Sequence, residues 1–206
     1  MTTMTMADGL NDSRVTHSLA YRKNRDAIWN GSVPEKYTRL LPYITGNRVL
    51  EIGAAEGVLS LLMAETRDII ALELRPERVA EGVKLQDQWR KLGIPVDRCR
   101  FAIGDIRDRL ELLEGVDMIV AVRSIYYLRD DTQAFVSRAK VPSFLMCGNK
   151  GRAASWARGE EDGLGKYNFY ASVDGMTQLL TTAGYKITTV ITEGDPIVVG
   201  RHPSFA

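Results

Sequence analysis

Residues 49–57 read V-L-E-I-G-A-A-E-G, and this stretch decides the fold. An apolar run ends in an acid and enters a turn spaced by Gly53 and Gly57, the pattern of a strand that passes through a tight turn into a helix. A unit of this kind places a ligand site at the carboxyl end of a parallel sheet. Glycine-only versions of the turn bring bare backbone up to a pyrophosphate at a helix N-terminus. Here Glu51 stands where the first glycine would be, and Ala55 takes a later glycine position. A carboxylate at that point repels pyrophosphate and suits a cationic ligand, because opposite charges at close range attract strongly in a partly dehydrated cleft.

Working outward, strand and helix signals alternate. The first strand spans residues 48–52 and its crossover helix 57–65. Residues 68–74, 99–103, 116–122 and 143–147 read as further strands, with helices over 77–92 and 131–139 between them. This alternation predicts a parallel sheet covered on both faces, and the unbroken apolar run at 116–122 predicts a central strand. Residues 172–183 read as a helix closed by Gly184. Residues 185–191 and 197–199 then pair through Gly194-Asp195-Pro196 as a terminal hairpin. Before the first strand, Tyr21, Ile28 and Trp29 lie among charged residues in an amphipathic segment expected to cross the front of the domain. Ser32 to Glu35 resembles a helix start, with Pro34 early and Gly46 as the stop.

The 206 residues suit one large domain: a flexible tail over 1–20 and a single domain over 21–206 with a helical cap at 21–46. Residues 148–165 are glycine-rich and polar, a length that compact domains rarely leave structureless without a function. This stretch and residues 21–29 are therefore candidate lids over the carboxyl edge. Truncating residues 1–30 is expected to damage turnover far more than stability.

Lys plus Arg total 27 against 26 Asp plus Glu, so no global field favours nucleic acid. No apolar run approaches the ~20 residues that span a bilayer, and residues 1–11 lack a hydrophobic signal core. The expected setting is the cytoplasm. Cys99 and Cys147, placed on the third and fifth strands, are separated by four strand spacings, about 19 Å, beyond the ~7 Å disulfide limit. They are expected to be free thiols. With His17 and His202 at opposite ends, no metal spacing arises.

Taken in order, these stations resemble the class I S-adenosylmethionine-dependent methyltransferases over roughly residues 46–200. The first is Glu51 to Gly57, similar to that family's acidic, glycine-spaced motif except for Ala55. The second is Glu73, twenty residues beyond Gly53 at a strand tip, able to accept both ribose hydroxyls. The third is Gly104-Asp105-Ile106, where the family holds adenine. The fourth runs from Asp117 to Leu128 and ends in I-Y-Y-L. The resemblance implies a doubly wound α/β domain with a mostly parallel seven-stranded sheet, order 3-2-1-4-5-7-6, and a C-terminal antiparallel hairpin. It implies S-adenosylmethionine as cofactor, held by Glu51, Gly53, Ala54, Ala55, Gly57, Glu73, Leu74, Asp105, Ile106 and Arg123. Taken alone, an acid such as Glu73 is more often a solvated strand-end residue and one such as Asp105 more often a helix cap.

Methyl transfer from a sulfonium is an in-line displacement in which the protein mainly binds and aligns, so no conspicuous catalytic motif is required. After the fourth strand the chain reads Arg123-Ser124-Ile125-Tyr126-Tyr127, without the Asn/Asp-Pro-Pro-aromatic motif of base methylation. Nor is there an acid at 123 to begin a divalent-metal site. The expected acceptor is a small molecule methylated at oxygen or nitrogen, sugar-containing or a secondary metabolite. Substrate candidates are Tyr21, Trp29, Tyr126, Tyr127, Asn149, Lys150 and Arg152, and catalytic candidates are Arg123, Tyr126 and His17. Trp156, Tyr167, Phe169 and Tyr170 add apolar surface, to flank a substrate or to anchor the lid. The rivals are an RNA or protein methyltransferase, using Arg98, Arg100, Arg107 and Arg109 as a basic groove, and a non-catalytic protein that binds the cofactor.

Overall fold

The structure is a computed structural model and describes residues 19–159 and 164–205. Seven strands form one sheet in the order β3-β2-β1-β4-β5-β7-β6. They are β1 (Arg48–Ile52), β2 (Asp68–Glu73), β3 (Cys99–Ile103), β4 (Met118–Val122), β5 (Ser143–Cys147), β6 (Lys186–Ile191) and β7 (Ile197–Arg201). The first five pair in parallel, and β7 runs antiparallel between β5 and β6. This is the expected order, and the burial explains it. Strands β1, β2 and β4 are almost wholly buried, as strands covered on both faces must be. Edge strand β6 alternates exposed with half-buried positions, since one of its faces meets solvent.

Helices α1 (Leu19–Trp29), α2 (Glu35–Thr38), α3 (Val58–Met63) and α4 (Pro76–Lys91) cover one face, and α5 (Thr132–Ala139) and α7 (Val173–Thr182) the other. The sheet thus separates two cores. One contains Leu59, Leu85 and Trp89, the other Phe135, Phe144 and Leu179. Cys99 and Cys147 are buried free thiols, and burial pushes both up to about 12, so neither is a nucleophile at neutral pH. No helix among the described residues is long and apolar enough to cross a membrane.

Two expectations are corrected. Residues 148–165 are not a structureless loop. Asn149 accepts a hydrogen bond from the Arg152 amide at 3.2 Å and starts helix α6 (Lys150–Ala157), in which three alanines outweigh the glycine. Residues 160–163 of that stretch lie outside the described residues. Residues 21–29, for their part, are docked along α4 instead of standing free as a lid. The Tyr21 hydroxyl donates to Glu81 at 3.0 Å, the Trp29 indole donates to Tyr21 at 2.6 Å, and the Trp89 indole donates to the Ile28 carbonyl at 2.7 Å. Tyr21 and Ile28 are wholly buried. Helix α1 begins at Leu19, inside the stretch read as tail.

Candidate functional site

Parallel strands that end together bring their following loops to one edge, and the site is built there. After β1 the turn leans toward β2: the amides of Gly53 and Ala54 both donate to the Leu72 carbonyl, at 2.8 and 3.0 Å. Gly53 sits at φ +71°, and a Cβ there would lie 2.6 Å from the Ser124 Cβ. Ser124 is itself fixed by donating to the Ile52 carbonyl at 2.6 Å. Only glycine meets both demands. Ala55, in place of the resemblance's middle glycine, occupies φ +53°, a conformation that costs an L-residue roughly 1–2 kcal/mol.

Glu73 compensates that strain. Its Oε2 accepts from the Ala55 amide at 2.9 Å, and its Oε1 accepts from the Arg75 amide at 3.0 Å. Each carboxylate oxygen has two acceptor sites, so both remain able to take a hydroxyl. Nearly buried and aimed by two amides, Glu73 is more than a solvated strand end. This pair of acceptor oxygens fits a ribose diol.

Glu51 is also buried and accepts from the Ser60 hydroxyl. Burial, opposed by the Ser60 bonds and reinforced by the charge of Glu73, raises it from 4.5 to about 7. The folded chain therefore keeps a proton that the unfolded chain releases. The resulting stability is full below about 4.5 and is lost as pH rises through about 7. At about 1.36 kcal/mol per pH unit the loss is on the order of 3 kcal/mol. Glu51→Gln, uncharged throughout, should be more stable than the parent above pH 8 by about 2–3 kcal/mol, with the gap closing toward acid. Urea denaturation across pH measures it, and a gap independent of pH would show that the Glu51 carboxyl titrates alike in the folded and unfolded chains.

After β3, Asp105 caps a short 3-10 turn (Ile106–Asp108) by accepting from the Arg107 amide at 2.9 Å. It is also paired with the Arg107 guanidinium at 2.6 Å, and Arg107 reaches on to Asp131 at 2.6 Å. Burial works to raise the Asp105 carboxyl, but the Arg107 contacts prevail and hold it below the usual range. Ile106 is a core side chain, whereas Leu74 is open to solvent. Of the four arginines read as a basic groove, Arg107 is paired as described and Arg109 is tied to Glu111 at 2.6 Å and to the Ile103 carbonyl at 2.6 Å, whereas Arg98 and Arg100 are exposed.

The remaining loops of this edge follow β4 and β5. Arg123 stands at φ +55° and forms an ion pair with Asp195. Because β7 runs antiparallel beside β5, the turn before Ile197 comes back to the carboxyl edge. Asp195 also accepts from the Lys150 amide at 3.1 Å, and Arg39 donates to the Glu193 and Asp195 carbonyls at 2.7 and 3.1 Å. Sequence reading takes Asp195 for a turn residue only, since nothing local signals a partner 72 positions away.

Lys36 is a second missed residue. On α2, beside the turn, it stacks on Tyr37 at 4.8 Å, and among the described residues its ammonium makes no ion pair. Burial and the nearby Arg123 lower its pKa, against the pull of Asp195 and Glu56. The sequence signal was its place just before the first strand, in a segment read only as packing.

Tyr126 and Tyr127 part company. Tyr126 is a core residue whose phenol is raised by burial first, which removes it as a base near neutral pH, whereas Tyr127 is half-exposed. Arg152 lies over both rings, at 5.5 and 5.8 Å from their centroids. Tyr21 and Trp29 belong to the α1–α4 contact described above, away from these residues. His17 lies outside the described residues. Among the described residues no group of acids, histidines and cysteines could hold a metal ion.

No family model matches the chain, and no curated protein matches it in sequence. Solved structures do match. Cofactor-bound Rv0187 from MTB is 17% identical, with 95% of this chain and 94% of that chain covered and a TM-score of 0.61. The N-terminal domain of EvdMO1, in the presence of SAH and D-fucose, is 18% identical over 82% of each chain, with a TM-score of 0.58. Against EvdMO1 in the longer form, the match covers 41% of that chain. The glycopeptide N-methyltransferase MtfA, complexed with (S)-adenosyl-L-homocysteine, is 15% identical over 82% of this chain and 86% of that one, with a TM-score of 0.57. At such identities the likeness carries the architecture alone. The sheet order, the antiparallel β5-β7-β6 end and these neighbours together give the chain the fold of the class I S-adenosylmethionine-dependent methyltransferases.

Proposed function

We propose that this chain transfers a methyl group from S-adenosylmethionine to an oxygen or nitrogen of a small-molecule acceptor. The observation that carries the reading is the pair of buried acids at adjacent strand tips, Glu51 and Glu73, on either side of a left-handed turn at the point where strand order reverses. A ligand at such a switch point meets the turn backbone first. Glu73, already oriented by the Ala55 and Arg75 amides, accepts the ribose hydroxyls. Glu51, whose raised carboxyl an arriving cation would draw back into its ionised form, supplies negative potential for the ammonium and sulfonium. Lys36, half-buried and lacking an ion pair among the described residues, takes the cofactor's carboxylate together with Arg123. Leu74 covers one face of the adenine, with Asp105 and the Ile106 backbone at its edge. The cofactor, when bound, supplies an electrophilic methyl group. The chain's own work is to align the acceptor and exclude water. The tied-up arginines of the β3 region, Arg107 and Arg109, weigh against an RNA acceptor.

The test is calorimetric titration with S-adenosylhomocysteine, followed by transfer of labelled methyl to a metabolite extract, to total RNA and to total protein. Micromolar binding with label in the small-molecule fraction is expected. Binding without transfer to any fraction would make the chain a cofactor-binding protein, and no binding would remove the assignment.

A further inference from the structure

The segment Ile125–Asp131, which follows β4, packs beside the segment Gly165–Ala171, which precedes α7, and a cleft of about 180 Å³ lies between them. It is lined by Arg129, Asp130, Lys166, Tyr167, Phe169 and Tyr170, none of which takes part in the cofactor site proposed above. Arg129 stands at φ +55° and ψ −124°, the conformation of the first central residue of a type II′ turn, where glycine is the usual occupant. Thr132, wholly buried, holds it there by donating its hydroxyl to the Arg129 carbonyl at 2.7 Å. A side chain kept on so strained a backbone points to a use for that side chain. Among the described residues the Arg129 guanidinium makes no hydrogen bond and no ion pair. Its neighbour Asp130 is engaged: the Tyr167 hydroxyl and the Lys166 ammonium, the latter at 3.0 Å, hold the Asp130 carboxyl below its usual range, and the charge of Arg129 adds to this. Asp130 therefore stays ionised, and Arg129 and Lys166 against Asp130 leave the cleft with one positive charge. The walls are aromatic. Phe169 lies beside Tyr170 with ring centroids 5.8 Å apart, and Tyr167 carries the Lys166 ammonium over its ring at 5.1 Å. All three rings are only half-buried.

We propose that this cleft binds a small aromatic monocarboxylate, with its carboxylate on Arg129 and its ring against Phe169 and Tyr170. A guanidinium presents its fork of N–H donors to a carboxylate in two parallel bonds, and aromatic walls take a flat ring by stacking. The volume is below the roughly 300–1,000 Å³ of sites for drug-sized ligands, so a single ring fills it. Charge narrows the choice further. A phosphate dianion exceeds the one positive charge available and faces the ionised Asp130 at close range, whereas a cation meets both Arg129 and Lys166. A neutral ring leaves the guanidinium unused. The site stands independently of methyl transfer, because no group of the turn after β1 lines it.

Calorimetric titration of the full chain with benzoate, benzyl alcohol, inorganic phosphate and tetramethylammonium separates these cases. Benzoate should bind at least about tenfold more tightly than each of the other three. Arg129→Gly should bring benzoate down to the level of the alcohol and yet melt no lower than the parent, because glycine relieves the turn. Arg129→Gln, neutral and of similar reach, should lose the preference as well, and Arg129→Lys, which keeps the charge but not the fork, should recover only part of it. Equal binding of benzoate and the alcohol, tighter binding of phosphate or tetramethylammonium, no binding of benzoate, or a preference that survives in a folded Arg129→Gly or Arg129→Gln chain would overturn the site. So would an Arg129→Gly chain that melts well below the parent, since the arginine would then be serving the fold. A parent chain that shows the benzoate preference but does not bind S-adenosylhomocysteine would lose the methyl-transfer reading and keep this site.

Discussion

Removing residues 1–30 should unfold the protein, or lower its stability by at least about 5 kcal/mol, before any effect on methyl transfer can be read. The deletion takes away Tyr21 and Ile28, both wholly buried. Losing a large buried ring costs about 3–5 kcal/mol and a buried isoleucine about 2–5 kcal/mol, which together rival the entire stability of an ordinary domain. It also strips the Tyr21 and Arg25 donors from Glu81 and the Ile28 carbonyl from the Trp89 indole, while Glu81 and Trp89 stay behind in the protein. The Trp89 indole, orphaned in this way, adds its own desolvation cost. Circular dichroism melts of the truncated and parent chains measure the effect. A truncated chain that melts at the parental temperature would mean that α1 is not docked on α4 in solution. The milder Ile28→Ala should fall between the two, about 2–4 kcal/mol below the parent.

Glu73→Ala should weaken binding of S-adenosylhomocysteine by about 2–4 kcal/mol, roughly 30- to 1,000-fold, in a chain that remains folded. Two effects point the same way. The ribose loses a charged acceptor, and the Ala55 amide, now without its partner at 2.9 Å, no longer holds the left-handed residue of the turn. Glu73→Gln separates them, because an amide oxygen can still receive one backbone donor but carries no charge, and it should lie between parent and alanine variant. Calorimetry on all three chains decides the matter. Parental affinity in a folded Glu73→Ala variant would mean that Glu73 serves the turn alone.

The sheet was legible because its signals are local. An apolar run such as 116–122 betrays a buried strand by its composition, and Gly194-Asp195-Pro196 betrays a reversal. Where the reading failed, the deciding contact was distant or the local signal was mixed. Glycine density at 148–165 concealed α6, although Asn149 caps it and three alanines favour a helix. The amphipathic stretch at 21–29 was recognised as helical, but its partner is Glu81, sixty positions on, and no periodicity names a partner. The two acids of the turn were named from strand ends and spacing, and both are buried there. Lys36 and Asp195 were not, since each gains its meaning only when α2 and the β6–β7 turn arrive beside Arg123. Asp105 shows a different difficulty. Both readings open to it in the sequence use the same oxygen atoms, and the fold displays the cap in full.

The position of β7 has a bearing on synthesis. It is the last strand in the chain and yet lies inside the sheet, between β5 and β6, with Ile197 to Arg201 paired to residues some fifty positions earlier. Until those residues leave the ribosome, β5 has no neighbour on that side and presents the open edge of an apolar strand, Phe144, Leu145 and Met146 among it. An uncovered edge of that kind invites pairing with other chains. The turn that carries Asp195 arrives just ahead of β7, so Arg39, Arg123 and the start of α6 acquire their common tether only once this part of the chain has emerged. A nascent chain halted before residue 197 would therefore combine an incomplete carboxyl edge with an exposed seam, and emergence of β7, long after the turn that follows β1, is the moment at which this edge of the sheet is complete.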